Sequence, residues 1–168
     1  GENLDELPEA LEKYSLFVSY NGLSFDMPFL NKEFGRFAVD GHDSLFAHSA
    51  HLDLRYPLRR LGFKGGLKKI EQATDLGRPS ALSGLSGYDA VRLWKMANDG
   101  EPEALTTLIR YNAEDVASLP RLTEMVVDEM AYGTPLCATM PPTFPEYDTD
   151  LLPYDFRLVK YLTRSARS

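Results

Sequence analysis

The chain has 168 residues, the length of one ordinary domain, and 43% of them are hydrophobic, which is enough to form a buried core. Its net charge of −7 excludes a protein that holds duplex DNA mainly through a pervasive positive field. A single cysteine excludes an internal disulfide, and no apolar run approaches the roughly 18 residues that span a bilayer. We expect a soluble, globular, cytoplasmic protein with no membrane partner.

The first predicted elements are a helix, a strand, a turn and a second helix. A helix with a proline in its first turn leads into a β-rich strand over Ser15 to Tyr20. Asn21 and Gly22 form a turn signal, and Asp26 is suited to cap the helix that follows. The chain opens with neither a start methionine nor a signal segment, so we expect an internal fragment of a longer protein.

Most of the remaining chain is predicted to be helical, with one short extended segment around Asp53. The predicted helices cover Pro57 to Leu61, Leu67 to Leu76, Val91 to Met96, and a long stretch that begins near Pro102, is kinked or restarted at Pro120, and ends by Gly133. Residues 134 to 153 contain five prolines, which favours an extended tail before a short last element. We expect a main domain over residues 1–133 and a wrapping tail over residues 134–168.

The predicted strands pose a problem. One strand and one doubtful extended segment cannot satisfy their own backbone N–H and C=O groups. We therefore expect the sheet to be completed by strands upstream of Gly1 or by a partner chain.

Two stretches contain carboxylates suited to chemistry. Asp26 lies at a strand-to-helix junction, where an aspartate is most often a helix cap. Tyr111 and Asp115 are four residues apart on a predicted helix, so they share one face with Cβ atoms roughly 5–6 Å apart. By itself, that pair is also consistent with a solvated or half-buried hydrogen bond.

These stretches resemble a known family. "YNGLSFDMPFL" resembles the second motif of the DnaQ-like 3′–5′ exonucleases of the ribonuclease H-like superfamily, and "YNAED" resembles their third motif in its tyrosine-type (DEDDy) form. Between the two motifs, "HLDLRYPLRRLG" and "GGLKKIEQATDLG" resemble the linking stretch of the YprB-like branch. The resemblance covers about residues 10 to 125 and implies an α/β, ribonuclease H-like exonuclease fold with a helix-rich remainder.

The resemblance implies metal-dependent hydrolysis of phosphodiester bonds at 3′ ends of nucleic acid, with two Mg²⁺ or Mn²⁺ ions in a complete site. Asp26 and Asp115 would be metal ligands, and Tyr111 would orient the attacking water. Asn21 would contact the substrate or bond its own loop, and the Asn-Gly turn favours the loop.

The chain lacks the family's first motif, an Asp-x-Glu pair on an opening strand. Two of the four expected carboxylates are therefore absent, as are the three strands that precede the first helix in family members. We expect the 168-residue chain alone to be inactive or nearly so, and the longer parent protein to be the exonuclease. The alternative is a non-catalytic module that uses the same scaffold to bind nucleic acid or protein.

A basic segment is the predicted substrate-binding region. Residues 55 to 78 include seven basic residues and two acidic ones, a local excess suited to guiding a single-stranded backbone or a 3′ end toward an acidic site, although a solvated helical face is an equal alternative. The predicted contacts are Arg59, Arg60, Lys64, Lys68 and Lys69. Phe25, Phe63 and Tyr88 would stack on unpaired bases or pack in a core. No motif distinguishes DNA from RNA.

Other chemistry is disfavoured by spacing. His48, His51 and Asp53 resemble a metal cluster only by proximity in sequence, and such a short polar group is more typical of a loop. Asp53 also follows a His-x-Asp pattern of the family, from which we predict a structural role. The glycine-rich "GFKGGLKK" lacks P-loop spacing, and no serine lies in a Gly-x-Ser-x-Gly elbow.

Overall fold

The structure is a computed structural model that describes residues 6–34, 49–75, 82, 84–135 and 147–165. The chain divides into two compact units, Gly1–Gly62 and Phe63–Ser168. Within the described residues the fold is α/β and rich in helix, with one two-stranded sheet.

The first unit has a β-α-β arrangement. Its elements are α1 (Glu6–Leu11), β1 (Leu16–Ser19), α2 (Asp26–Phe34), β2 (Ala50–Asp53) and α3 (Arg55–Arg60). The two strands are parallel, in a register that pairs Leu16 with Ala50 and Ser19 with Asp53. Parallel strands need a long crossover, and α2 lies in the segment between them. Both predicted extended segments are thus confirmed as strands.

The first unit has a small described core. Leu54 and Leu58, at the start of α3 and within it, are fully buried. None of the nine residues of α2, all of which the structure describes, is buried. Tyr14, shortly before β1, and Leu16, the first residue of β1, are also exposed, although apolar side chains normally cover a sheet.

The second unit is helical throughout its described residues. Its elements are α4 (Leu67–Ala73), α5 (Gly87–Asn98), α6 (Pro102–Ala117), α7 (Leu119–Ala131), a short 3₁₀ helix (Thr149–Leu151) and α8 (Phe156–Ser165). The predicted restart at Pro120 is confirmed, because α6 ends at Ala117 and Pro120 occupies the first turn of α7. Proline is tolerated there because the first N–H groups of a helix have no partner inside it.

Local sequence explains where α5 and α6 begin. Ser86 caps α5: its side chain accepts a hydrogen bond from the backbone N–H of Asp89, and the Asp89 side chain accepts one from the backbone N–H of Ser86. Pro102 starts α6. The two helices are separated by a short connection in which Gly100 has a positive φ of 101°, a conformation that glycine adopts without strain.

The core of the second unit is formed by α5, α6, α8 and the segment before α5. Its buried members are Leu82, Leu85, Leu93, Ala104, Leu108, Tyr111, Val159 and Leu162. The predicted last element is therefore a helix, α8, with two side chains in this core. The predicted division into residues 1–133 and 134–168 stays a prediction. Among the described residues, no helix is both long and apolar enough to cross a membrane.

Candidate active site

The turn after β1 places Asp26 at the first position of α2. Asn21 in this turn has a φ of 67°, which asparagine adopts more readily than most residues. A Cβ atom at Gly22 would lie 2.4 Å from the Oγ atom of Ser19, so glycine alone fits there without a shift. The Gly22 carbonyl then accepts a hydrogen bond from the N–H of Met27, at 2.9 Å. The Asn-Gly pair thus shapes the turn that carries Asp26.

A buried carboxylate on β2 holds this turn from the other strand. Asp53 Oδ1 accepts hydrogen bonds from the backbone N–H of Asn21 at 2.7 Å and of Arg55 at 3.1 Å, and Oδ2 accepts one from the N–H of Leu23 at 3.0 Å. The Arg55 guanidinium in turn donates to Asn21 Oδ1. The predicted structural role of Asp53 is confirmed, and the Asn21 side chain bonds within its own unit.

Ser19 and His51 form a side-chain hydrogen bond between the two strands, next to the turn. Ser19 Oγ lies 2.8 Å from His51 Nε2 and accepts a hydrogen bond from the N–H of Gly22 at 3.2 Å. His51 belongs to β2, so its assignment to a loop is wrong, because the segment around it pairs with β1 and His51 lies opposite Phe17. His48 lies outside the described residues.

The Asp26 side chain is exposed. Its Oδ2 atom lies 3.5 Å from where a Cβ atom of Gly22 would be, so the carboxylate is beside the turn. No hydrogen bond reaches it from any residue that the structure describes, in contrast to Asp53. Its lone pairs are therefore available to a ligand from outside this part of the chain.

Exposed apolar residues flank Asp26 in the sequence, in the turn before it and in the first turn of α2. Phe25 is 76% exposed, Phe29 is 64% exposed and Leu23 is 47% exposed. Packing in a core is therefore wrong for Phe25, and the same holds for Tyr88, which is 74% exposed. An aromatic ring that protrudes next to a carboxylate is suited to stacking on a base.

The second part of the predicted site lies on α6. Ala104, Leu108, Tyr111 and Asp115 follow one another at spacings of four, three and four, so they form one stripe of the helix. The first three belong to the core, and Tyr111 is only 8% exposed. One oxygen of Asp115, Oδ1, is buried. The predicted sharing of a face is thus confirmed, and core packing fixes the stripe.

The neighbouring stripe of α6 contains an ion-pair network that sequence analysis missed. The Arg110 side chain donates to Glu114 Oε1 at 2.5 Å, to Asp150 Oδ1 at 2.6 Å and to the Leu152 carbonyl at 3.1 Å. Arg110 and Glu114 are buried. Burial lowers the pKa of Arg110, but the hydrogen bonds to Asp150 and Glu114 outweigh it, and the net shift is upward.

A further hydrogen bond joins the tail to α6. The Thr107 hydroxyl donates to the Glu103 carbonyl at 2.7 Å and accepts from the backbone N–H of Asp155 at 3.0 Å. The segment from Asp148 to Asp155, here named the tail strap, is therefore fixed along α6 beside the turn of helix that carries Tyr111. The only sequence signal for this network was the spacing of four between Arg110 and Glu114.

The predicted substrate-binding cations differ in their surroundings. Arg59, Arg60, Lys64 and Lys69 are exposed. Lys68 is partly buried and donates from Nζ to the Leu85 carbonyl at 2.8 Å. Arg78, the last basic residue of the segment over residues 55–78, lies outside the described residues. These roles in substrate binding stay predictions. The four exposed side chains are the ones that a phosphate backbone can reach from solvent.

The two parts of the predicted site belong to different units. Asp26 lies in the first unit, and Tyr111 and Asp115 lie in the second. The structure thus brings the last two together on one helix, while their convergence with Asp26 stays a prediction.

The carboxylate oxygens of the described residues are of the type that binds a hard divalent cation, but too few of them lie together. Carboxylate oxygens are the ligands that Mg²⁺ and Mn²⁺ prefer, and Asp26 offers an exposed one. Among the described residues, however, no group of three or more His, Cys, Asp or Glu side chains is arranged to hold a metal ion. Any metal held by Asp26 therefore needs water or ligands from another segment.

Comparison with known proteins identifies the class. A family model described as the RNase H superfamily matches residues 2–127, about three quarters of the chain. The chain belongs to the ribonuclease H superfamily, and the predicted α/β, ribonuclease H-like fold is confirmed. This membership suggests a nuclease-type function. No curated protein and no solved structure matches the chain.

Proposed function

We propose that this chain is part of a 3′–5′ exonuclease that hydrolyses phosphodiester bonds at the ends of single-stranded nucleic acid, in the tyrosine-type, DnaQ-like manner. The observation that carries the proposal is Asp26: an exposed carboxylate, without a described hydrogen-bond donor, at the start of a helix whose preceding turn is rigidly fixed. A carboxylate that only capped its helix would accept hydrogen bonds from the backbone N–H groups of that helix.

Asp26 and Asp115 are the proposed ligands of Mg²⁺ or Mn²⁺. When bound, two such ions activate the attacking water and stabilise the leaving oxygen. Because two carboxylates leave most coordination positions open, further carboxylates from another segment of the protein or a partner chain complete the proposed site.

Tyr111 is the proposed group that orients the attacking water. Its ring is packed in the core of the second unit, so its rotation is restricted and its hydroxyl has a defined direction. A neutral phenol both donates and accepts a hydrogen bond, which suits it to hold a water molecule. Water positioning of this kind contributes through orientation and does not need a change in charge on the tyrosine.

The proposed substrate contacts are the Phe25 ring and the exposed cations. Phe25 stacks on the terminal base, and Arg59, Arg60, Lys64 and Lys69 attract the phosphate backbone. Lys68 contributes charge to the same segment, although its ammonium group already bonds the Leu85 carbonyl. Asn21 supports the turn and acts on the substrate indirectly, by holding the neighbouring residues of the turn in place.

A digestion assay tests the function. The natural gene product that contains these residues is incubated with single-stranded DNA or RNA, labelled at the 5′ or the 3′ end, in Mg²⁺ or Mn²⁺ and with or without chelator. We expect chelator-sensitive shortening from the 3′ end. Asp26→Asn and Asp115→Asn are expected to abolish it, whereas Asp128→Asn, the same change at an exposed aspartate on α7, leaves it intact.

The same assay tests three parts of the proposal independently: the polarity of digestion, its dependence on metal, and the activity of the 168-residue chain alone. Shortening from the 5′ end contradicts the polarity, and digestion that survives the chelator contradicts the metal. Robust digestion by the 168-residue chain alone contradicts the expectation that its ligand set is incomplete. Loss of digestion in Asp128→Asn shows that the loss in the other variants is not specific.

One observation favours a second candidate, a non-catalytic binding module. The Phe25 ring is highly exposed, and an exposed aromatic ring can stack on a base without any hydrolysis. In that case the natural protein binds single-stranded oligonucleotides but digests none, and Asp26→Asn leaves the affinity unchanged or raises it by removing a repulsive charge.

A further inference from the structure

The first unit contains two aspartates with opposite environments, and the difference assigns a role to the buried one. Asp53 is 4% exposed, and its two oxygens accept three backbone hydrogen bonds. Asp26 is exposed and receives none from the described residues. A carboxylate that is already bonded to three N–H groups has little capacity left for a metal ion. Asp53 is therefore unsuited to be a metal ligand itself.

The partners of Asp53 show what it does. The N–H groups of Asn21 and Leu23 both point to its carboxylate, 32 and 30 residues away along the chain. These two N–H groups flank Gly22 in the turn where Asn21 has a positive φ, an arrangement that forms a concave site for an anion. Asp53 occupies that site from the neighbouring strand. It thereby fixes the turn relative to β2.

The turn connects Asp53 to Asp26. The Gly22 carbonyl accepts the N–H of Met27, the residue after Asp26, so movement of the turn moves the start of α2. Arg55 strengthens the same connection, since its N–H donates to Asp53 and its guanidinium donates to Asn21. Burial of the carboxylate increases the strength of these hydrogen bonds because little water competes for the donors.

We propose that Asp53 is a positioning residue, which sets the location of the Asp26 carboxylate for metal binding through the N–H groups of Asn21 and Leu23. The inference rests on the proposed function of Asp26 as a metal ligand and goes beyond it. Outer groups that orient a ligand typically change metal affinity or activity about 10- to 100-fold when they are removed. We expect an effect of that size from Asp53.

The test is Asp53→Asn in the natural protein. The amide keeps the shape of the side chain but turns one acceptor into a donor, which faces a backbone N–H and cannot bond it. The first readout is the affinity for Mn²⁺, which is measured from the NMR line broadening of the Asp26 amide during a titration with Mn²⁺ alone. The second is the split between kcat and KM on a single-stranded oligonucleotide. The third is hydrogen exchange of the Leu23 amide.

Asp89→Asn is the matched control. Asp89 is also a buried aspartate that accepts a backbone hydrogen bond, from Ser86 at 2.9 Å, but it lies in the second unit. Both variants lose a buried, charge-assisted hydrogen bond, so both lose stability. We expect only Asp53→Asn to lower the Mn²⁺ affinity, measured at the Asp26 amide, by about 10-fold or more. The same variant is expected to lower kcat with little change in KM.

The outcomes separate the two proposals. Equal Mn²⁺ affinity in wild type and Asp53→Asn, or an equal loss in Asp89→Asn, overturns the positioning role even where the protein is a nuclease. Absence of hydrolysis in the wild type overturns the proposed nuclease, while a selective loss of Mn²⁺ affinity in Asp53→Asn still supports the positioning role. Absence of Mn²⁺ broadening at Asp26 in the wild type overturns the positioning role.

Discussion

The turn that carries Asp26 and the helix that carries Tyr111 are fixed by different forces. The turn is held by hydrogen bonds from its backbone to one buried carboxylate, and the neighbouring helix α2 contributes no buried side chain. In α6, Tyr111 belongs to an apolar core and the adjacent stripe is held by the Arg110 ion pairs. Hydrogen bonds fix direction, whereas apolar packing supplies most of the stability.

This difference indicates where each half of the proposed site is sensitive. In the first unit, a change that keeps the fold but disturbs one polar contact displaces the turn. In the second unit, a change must remove core volume or leave a charge buried before α6 moves. The comparison can be sharpened with substitutions in each unit, beginning with the buried ion pair.

The largest expected effect is that of Arg110→Met. The side chains of Arg110 and Glu114 are each 3% exposed, so the substitution leaves the Glu114 carboxylate buried without its cation. Removal of one partner of a buried pair typically costs about 3–5 kcal/mol. We expect a loss of that order in the free energy of unfolding, measured with urea and followed by circular dichroism.

A double variant provides the control for Arg110→Met. Arg110→Met with Glu114→Leu removes both charges and is expected to recover most of the loss, because an apolar pair of similar volume often replaces a buried ion pair at little cost. A single variant as stable as the wild type would show that the ion pair does not hold α6. In that case apolar packing alone distinguishes the two regions.

A smaller loss of stability is expected from Tyr111→Phe, with a separate effect on activity. The ring stays in the core, so the free energy of unfolding falls by only about 1 kcal/mol, the usual contribution of one hydrogen bond. Digestion of oligonucleotides is expected to fall about 100-fold, the typical cost of misplacing a reacting group such as the attacking water. The measurement pairs urea unfolding with the digestion assay.

Tyr132→Phe is the matched control for this prediction. Tyr132 is 82% exposed at the end of α7, so the same loss of a hydroxyl is expected to change neither quantity. Undiminished digestion by Tyr111→Phe would remove the tyrosine from the proposed site and leave it as a core residue.

The sequence predicted the elements well because their signals are local. The strand after Tyr14, the Asn-Gly turn and the restart at Pro120 all depend on neighbouring residues, and the structure confirms each of them. Asp53 was also predicted to be structural, although only the fold shows that its partners lie 30 and 32 residues earlier in the chain.

The sequence could not predict interactions between distant segments. Arg110 and Glu114 are typical of an exposed pair at a spacing of four, and their burial depends on the tail strap, whose Asp150 is 40 residues away. The exposure of Phe25 was also undetermined, because an aromatic residue beside a helix start is equally consistent with core packing and with a binding surface. The convergence of Asp26 with Asp115 stays a prediction for the same reason.

Asp150→Asn is expected to have a small effect, which sharpens the account of the tail strap. The Asp150 side chain is 80% exposed, whereas that of its partner Arg110 is buried. An ion pair with one end in water contributes about 0–1 kcal/mol, and Arg110 keeps its hydrogen bonds to Glu114 and to the Leu152 carbonyl. Urea unfolding checks this against Arg110→Met. Equal losses in the two variants would mean that the tail strap, and not Glu114, compensates the buried cation.

The smallest expected effect concerns Tyr20, beside the turn that carries Asp26. Burial raises the pKa of Tyr20 above 10.0, and the nearby Asp53 adds to this, while Arg55 opposes it. The folded protein therefore holds the phenol proton more tightly than the unfolded chain does. This stabilising contribution is complete below about pH 10 and is lost as the pH rises through the pKa of the folded state.

Tyr20→Phe removes the titrating group while it keeps the ring, so the free energy of unfolding should fall less steeply between pH 9 and pH 12 in this variant than in wild type, with the range set by the ordinary tyrosine pKa of about 10. Tyr132→Phe, at an exposed position, is expected to leave the wild-type slope unchanged. The measurement is urea unfolding at a series of alkaline pH values. Identical slopes in wild type and Tyr20→Phe would show that water reaches the Tyr20 hydroxyl as freely in the folded protein as in the unfolded chain, so that the residue before the turn is not shielded from solvent.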